Sequence, residues 1–164
     1  MIELTRKYRV VHEQYLMEWL MKTYPPGTWQ TNVRLGAPSE ELLSRIRTPE
    51  EARALKPWMA QADAVVILSD KVVIVEALVR PEWWKIFQLH QYAKLFKHTP
   101  EFAEHWHKPL ELVLLTTQDS PFHLKMAAEY GVRVVIYRPP WLEPYMASLR
   151  PRTRRPPGSH IKPA

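Results

Sequence analysis

Two acidic residues interrupt strongly apolar segments of the chain. Asp63 lies near the start of ADAVVIL at 62–68, and Glu76 lies within KVVIVEALV at 71–79. A carboxylate in such a segment is costly to bury unless it is paired or binds a cation. Two converging carboxylates can hold a hard cation such as Mg²⁺ through their oxygens, and the ion can activate water for attack on a phosphodiester. Asp63 and Glu76 are therefore candidate metal ligands.

The two apolar segments are expected to pair as an antiparallel hairpin. Both are rich in β-branched residues, and only Ser69 and Asp70 separate them. A hairpin that turns at this point brings Asp63 and Glu76 to its open end, within one residue of direct opposition. The spacing thus predicts that the two acids are neighbours.

Periodicity and capping signals predict the other elements. Helices are predicted at 10–23, 39–46, from 49 onward, 81–97 and 121–130, and further strands at 29–35, 110–116 and 133–137. The mixture predicts an α/β fold, with a small mixed sheet around the central antiparallel hairpin and helices on both faces.

Other residues fall in a recognisable order around the two acids. An N-terminal helix carries Glu13 (Glu18 is the alternative), Asp63 and Glu76-Ala77-Leu78 lie on the hairpin strands, and the next helix carries Gln88 and Tyr92 as Gln-x-x-x-Tyr. With this order, roughly residues 5–140 resemble the PD-(D/E)XK nuclease-like superfamily, in its RecB-like, phage-encoded branch. The resemblance implies a restriction-endonuclease-like core in which Asp63 and Glu76 bind Mg²⁺, with Glu13, Gln88 and Tyr92 completing the site.

One position departs from the family pattern. The family places a lysine two residues after the glutamate, where this chain has Leu78. A leucine cannot stabilise the negative charge that develops in the transition state, and losing such a contact costs several powers of ten in rate. The first expectation is therefore a catalytically impaired domain without a cofactor. The resemblance to phage-encoded members implies that it would serve as a structural or DNA-associated component of a phage virion, at the head–tail junction or tail, or of the packaging machinery.

Lys85 offers an alternative to this expectation. Lys85, Gln88 and Tyr92 recur at i, i+3 and i+7, so they share one stripe of the predicted helix. If the stripe faces Glu76, Lys85 supplies the missing ammonium, and the protein is an active Mg²⁺-dependent nuclease. Otherwise Lys85 is a solvated residue of the first helical turn.

The aromatic residues of this region are open to two interpretations. Trp83, Trp84, Phe87 and Trp106 suit either stacking on nucleic-acid bases or packing in a core or interface.

Positive charge is concentrated at the C-terminus. The net charge is +6, and the segment 149–164 holds five basic residues and no acid, namely Arg150, Arg152, Arg154, Arg155 and Lys162. We therefore divide the chain into a nuclease-like domain at 1–148 and a basic, Pro-rich tail at 149–164. Such a tail favours DNA phosphates or an acidic protein surface, although it also fits a solvated terminus. The expected partners are assembly neighbours, a second copy of the chain, or DNA.

Composition excludes several classes of site. The absence of cysteine excludes disulfides, cysteine-ligated zinc and iron–sulfur clusters, and thiol nucleophiles. No apolar segment is long enough to span a membrane, and the charged first residues do not resemble a signal peptide. The expected location is the cytoplasm of the host cell, with incorporation into a virion as the other outcome.

Overall fold

The computed structural model describes residues 2–55 and 59–149. The tail residues Arg150, Arg152, Arg154, Arg155 and Lys162 lie outside this part of the chain, as does the end of the helix predicted from 49 onward. The helices are α1 (Ile2–Thr23), α2 (Glu40–Arg45), α3 (Pro49–Leu55), α4 (Lys85–Phe96), α5 (Pro121–Glu129) and α6 (Leu142–Leu149), with a 3-10 helix at Pro100–His105. The strands are β1 (Trp29–Leu35), β2 (Ala60–Ile67), β3 (Val72–Leu78), β4 (Leu110–Thr116) and β5 (Val132–Ile136).

The five strands form one mixed sheet in the order β1-β2-β3-β4-β5. β2 pairs antiparallel with β1 and β3, whereas β4 pairs parallel with β3 and β5. The central antiparallel hairpin and the α/β class are thus confirmed. Every residue of β3 is buried, because this central strand is covered on both faces.

Two hydrophobic layers cover the sheet. On one face α4 contributes Ile86 and Leu89, which belong to the same cluster as Ile74 of β3. On the other face Tyr15 of α1 clusters with Val73. Alternate residues of β3 therefore meet different helices, as the period of a strand requires.

Some boundaries differ from those predicted. α1 begins at Ile2 rather than near residue 10, and α4 begins at Lys85 rather than at Pro81, because backbone turns occupy the residues before it. α6 was not predicted, although Pro144 is compatible with a first helical turn. Within the described ranges, no helix is long and apolar enough to cross a membrane.

Thr99 fixes the loop that follows β1. Its buried hydroxyl accepts the Gly36 N–H at 2.8 Å and donates to the Leu95 carbonyl at 2.8 Å. Thr99→Val leaves the Gly36 N–H without its acceptor, so we expect the free energy of unfolding to fall by about 1–3 kcal/mol in urea denaturation. Thr99→Ser keeps both hydrogen bonds and serves as the control. Equal losses in the two variants would contradict this role of the hydroxyl.

Candidate active site

Asp63 and Glu76 lie where β2 and β3 stop pairing. The backbone ladder ends at Ala64 and Val75, and the two acids are the next residues. Their side chains continue the pairing, since the Asp63 N–H donates to Glu76 Oε1 at 3.1 Å and the Ala77 N–H donates to Asp63 Oδ2 at 2.8 Å. The predicted convergence of the two acids is confirmed.

Lys85 reaches the acids from the first turn of α4. Its Nζ lies 2.9 Å from Glu76 Oε2 and 3.4 Å from Asp63 Oδ2, and it donates to the Ala77 carbonyl at 3.2 Å. Only 12% of the Lys85 side chain and 2% of the Glu76 side chain are exposed. Lys85 is therefore not a solvated first-turn residue, and an ammonium is present beside both acids.

Leu78, two residues after Glu76, packs in the core. It is buried in the hydrophobic cluster that includes Ile86 and Leu89 of α4. A leucine at this position contributes apolar surface to the packing of α4 on the sheet. The ammonium instead enters the site from the helix that packs over this strand.

His12 is a member of the site that the sequence reasoning missed. Its Nε2 lies 3.0 Å from Asp63 Oδ2 and 3.1 Å from the Ala77 carbonyl. Because both partners accept hydrogen bonds, Nε2 carries the proton. His12 shares the helical spacing of the buried residues Leu16 and Trp19, so a histidine on that stripe was the available signal.

The environment separates the pKa values of the two acids. Burial, reinforced by the charge of Asp63, raises the pKa of Glu76 to about 8, although Lys85 opposes this. Burial would also raise the pKa of Asp63, but the hydrogen bond and charge of His12, together with Lys85, lower it to about 2. For Lys85, burial lowers the pKa, but the two carboxylates outweigh it and the pKa is raised. At neutral pH, Asp63 and Lys85 are charged and Glu76 keeps its proton, which limits the uncompensated charge in the cluster.

The titration of His12 tests this picture. Burial lowers the His12 pKa, but the hydrogen bond and charge of Asp63 outweigh it and raise the pKa above its usual 6.5. In Asp63→Asn the main effects that raise the His12 pKa are lost. Burial and the charge of Lys85 still lower this pKa, and only the smaller effect of the Ala77 carbonyl raises it, so we expect the His12 pKa to fall below the wild-type value. The imidazole NMR signals of His12 in wild type and in Asp63→Asn measure this. An unchanged His12 pKa would contradict the assigned contact.

A cleft leads from solvent to Asp63 between α1 and β1. Its volume is about 180 Å³, and His12, Glu13, Thr31, Asn32 and Asp63 are among the lining residues. Asn32 adopts a positive φ of 55° and is skipped in the β1–β2 ladder, opposite Asp63. This irregularity interrupts the pairing beside the acid and leaves the cleft open.

The other predicted site residues, Tyr92, Gln88 and Glu13, form no hydrogen bond to Asp63 or Glu76 within the described residues. Tyr92 donates from its hydroxyl to the Gln61 carbonyl at 2.9 Å and so fixes α4 against β2. Gln88 is half-buried one turn after Lys85, and it forms no hydrogen bond to the acids in the described part of the chain. Glu13 is exposed and pairs with Arg9 at 3.0 Å, although it lines the same cleft.

Glu18, the alternative to Glu13, belongs to another cluster. Its carboxylate accepts from the Tyr137 hydroxyl at 2.6 Å and from the Trp141 indole N–H. These contacts hold α1 against the segment before α6. Glu18 therefore has a structural place and does not join Asp63.

The donor atoms fit Mg²⁺. Asp63 Oδ2, Glu76 Oε2 and the Ala77 carbonyl oxygen all lie within 3.4 Å of Lys85 Nζ, so three oxygens converge on one point, which the ammonium occupies in this structure. Mg²⁺ is commonly bound by one or two carboxylates, with waters and substrate phosphates completing its shell. Across residues 2–55 and 59–149, no group of three or more His, Asp or Glu side chains could hold a metal ion. The fit is therefore that of a two-carboxylate site.

The site thus combines two unlike acids, an ammonium and an imidazole at one end of the β2–β3 hairpin. Compared with known proteins, the chain matches no family model, no curated protein and no solved structure. The arrangement of these four side chains is therefore the main indication of function.

Proposed function

We propose that the protein is a Mg²⁺-dependent nuclease of the PD-(D/E)XK type, in which α4 supplies the lysine. The observation that carries the proposal is the Lys85 Nζ at 2.9 Å from Glu76 Oε2 and 3.4 Å from Asp63 Oδ2. Two acids and an ammonium of this kind are the groups that phosphodiester hydrolysis needs, and here they come from three different elements.

Each side chain has a role in this proposal. Asp63, the ionised form of Glu76 and the Ala77 carbonyl would hold Mg²⁺, whose binding would displace the Glu76 proton. When bound, the ion would polarise a phosphodiester and lower the pKa of water. Because the ion would take over the oxygens that Lys85 now contacts, the ammonium would be released to donate hydrogen bonds where negative charge develops on the phosphate oxygens. His12 donates to Asp63 and keeps that carboxylate ionised and oriented.

Two observations favour activity over the impaired domain suggested by Leu78. The burial of Leu78 in the α4 cluster accounts for an apolar residue at that position. The lost ammonium is replaced by Lys85, which Tyr92 helps to place by bonding α4 to β2. The structural or DNA-associated virion component is then the outcome expected if cleavage is absent.

The test is nucleic-acid cleavage by the full chain. Supercoiled DNA, single-stranded DNA and RNA are incubated with Mg²⁺ or Mn²⁺, and with EDTA. We expect metal-dependent cleavage of at least one substrate, and its loss in Asp63→Asn and in Glu76→Gln. The matched controls are Asp70→Asn and Glu104→Gln, because both residues are exposed. A folded wild-type protein without cleavage, or activity retained in Asp63→Asn, would overturn the proposal.

A further inference from the structure

We infer that the substrate of this site is a single-stranded nucleic acid whose bases stack on an exposed aromatic patch formed by Trp84, Phe87, Phe122 and Tyr130. The inference deepens the proposed function and rests on it, because it names the substrate class of the same site. It is carried by the exposure of these rings, by the position of Trp84 directly before Lys85, and by basic residues that follow β3 and lie on α1.

The four rings are much more exposed than the aromatic residues of the core. Trp84 is 53% exposed, Phe87 43%, Phe122 71% and Tyr130 38%. Phe87 and Tyr130 are in edge contact at 4.9 Å between centroids. The patch therefore extends from the first turn of α4 to the end of α5.

Ring contacts between the start of α4 and the start of α5 support the patch. The buried Trp83 stacks on His123 with centroids 4.2 Å apart and planes 4° from parallel. His123 in turn contacts the edge of Phe122 at 5.3 Å. This chain of contacts joins the start of α4 to the start of α5, so the exposed rings lie on a supported surface.

Trp84 links the patch to the candidate active site. It is the residue directly before Lys85, whose Nζ contacts both acids. The Trp84 indole faces solvent, whereas the Lys85 side chain is directed inward to the acids. The patch therefore begins at the turn that supplies the ammonium, and a base on Trp84 would place its strand at that end of α4.

Basic residues offer contacts for the phosphates at this end of the sheet. Arg80 follows β3, is exposed, and lies with its guanidinium 4.7 Å from the centroid of the Tyr8 ring of α1. That contact places Arg80 beside the turn of α1 that carries the exposed Arg6 and Arg9, whose Nε is bonded to Glu13, one turn before His12. A strand with its bases on the aromatic patch would thus find positive charge beside the site.

The aromatic rings decide between single and double strands. In a duplex the base faces are stacked on one another, so they cannot stack on a side chain, whereas unpaired bases can. Arginine contacts to phosphates, including those of the basic tail, would not discriminate in this way. A patch that serves the substrate therefore predicts a preference for single strands.

The test measures binding in EDTA, where no cleavage occurs. Fluorescence anisotropy follows a labelled single strand of about 20 nucleotides and the corresponding duplex with the full chain. We expect the Trp84→Ala/Phe87→Ala double variant to bind the single strand at least about tenfold more weakly, with little change for the duplex. The control is Tyr145→Ala, which removes a ring that is similarly exposed, 40%, but lies on α6 in the other layer.

Unchanged single-strand affinity in the double variant would overturn the inference, as would equal losses for the duplex. If the patch covers a second copy of the chain, the variant changes the mass in sedimentation and leaves the affinity unchanged, which also overturns it. Patch-dependent binding without any metal-dependent cleavage would overturn the proposed nuclease instead. The two failures are therefore distinguishable.

Discussion

Replacing Lys85 with alanine is expected to lower the rate of metal-dependent cleavage by about 10²–10³-fold, the usual cost of losing one preorganised donor to a transition-state oxyanion. The reason is geometric. The Lys85 ammonium is the one positive group bonded to both Glu76 and Asp63 in the described chain, and Leu78 cannot substitute for it. Initial rates under saturating Mg²⁺ measure the effect.

The control for this prediction is Lys94→Ala. Lys94 lies in the last turn of α4 and is exposed, so its loss changes the net charge equally without touching the site. Circular dichroism melts establish whether both variants fold. If Lys85→Ala does not fold, Lys85→Met replaces it, because methionine retains most of the aliphatic stem without the ammonium. Equal rates in Lys85→Met and Lys94→Ala would show that the ammonium has no catalytic part.

Much of the fold could be predicted because its signals are local. β-branched segments separated by two residues defined the β2–β3 hairpin, and Gly131, with its positive φ of 67°, marked the end of α5. α6 has a weaker signal, since its eight residues follow Pro139 and Pro140 and adjoin the basic tail. What identifies it as part of the domain is the burial of Leu142 against α1 and the sheet, a contact that composition does not reveal.

Some residues of the candidate site could be predicted from local signals, and others could not. The acids could be predicted because the hairpin brings them together, and Lys85 because its spacing placed it on the stripe of Tyr92. His12 could not be derived, since its contact with Asp63 spans 51 residues and depends on where α1 crosses the sheet. Glu13, its neighbour, points instead towards Arg9, because adjacent residues of a helix face different directions.

Amide replacements of the two acids are expected to change stability in opposite directions. The Glu76 pKa is raised from 4.5 to about 8, so between these pH values the unfolded chain releases a proton that the folded protein keeps. Folding then loses stability as pH rises, by at most about 1.4 kcal/mol per unit. Glu76→Gln removes this loss. We expect the free energy of unfolding of Glu76→Gln to equal that of wild type below pH 4.5 and to exceed it by about 1–3 kcal/mol at pH 8.

Asp63→Asn should show the reverse. The Asp63 pKa is lowered from 3.8 to about 2, so its ionised form stabilises the fold above pH 3.8, and this stability is lost as pH falls towards 2. At pH 7 the variant leaves His12 and Lys85 without the carboxylate. We therefore expect its free energy of unfolding to be about 2–4 kcal/mol below that of wild type, and this difference should become smaller as the pH falls. Urea denaturation of the metal-free proteins from pH 3 to pH 8, with Asp70→Asn as control, measures both effects. If both amide variants changed stability in the same direction at pH 7, the two acids would not occupy the unlike environments described, and the single proton assigned to Glu76 would be wrong.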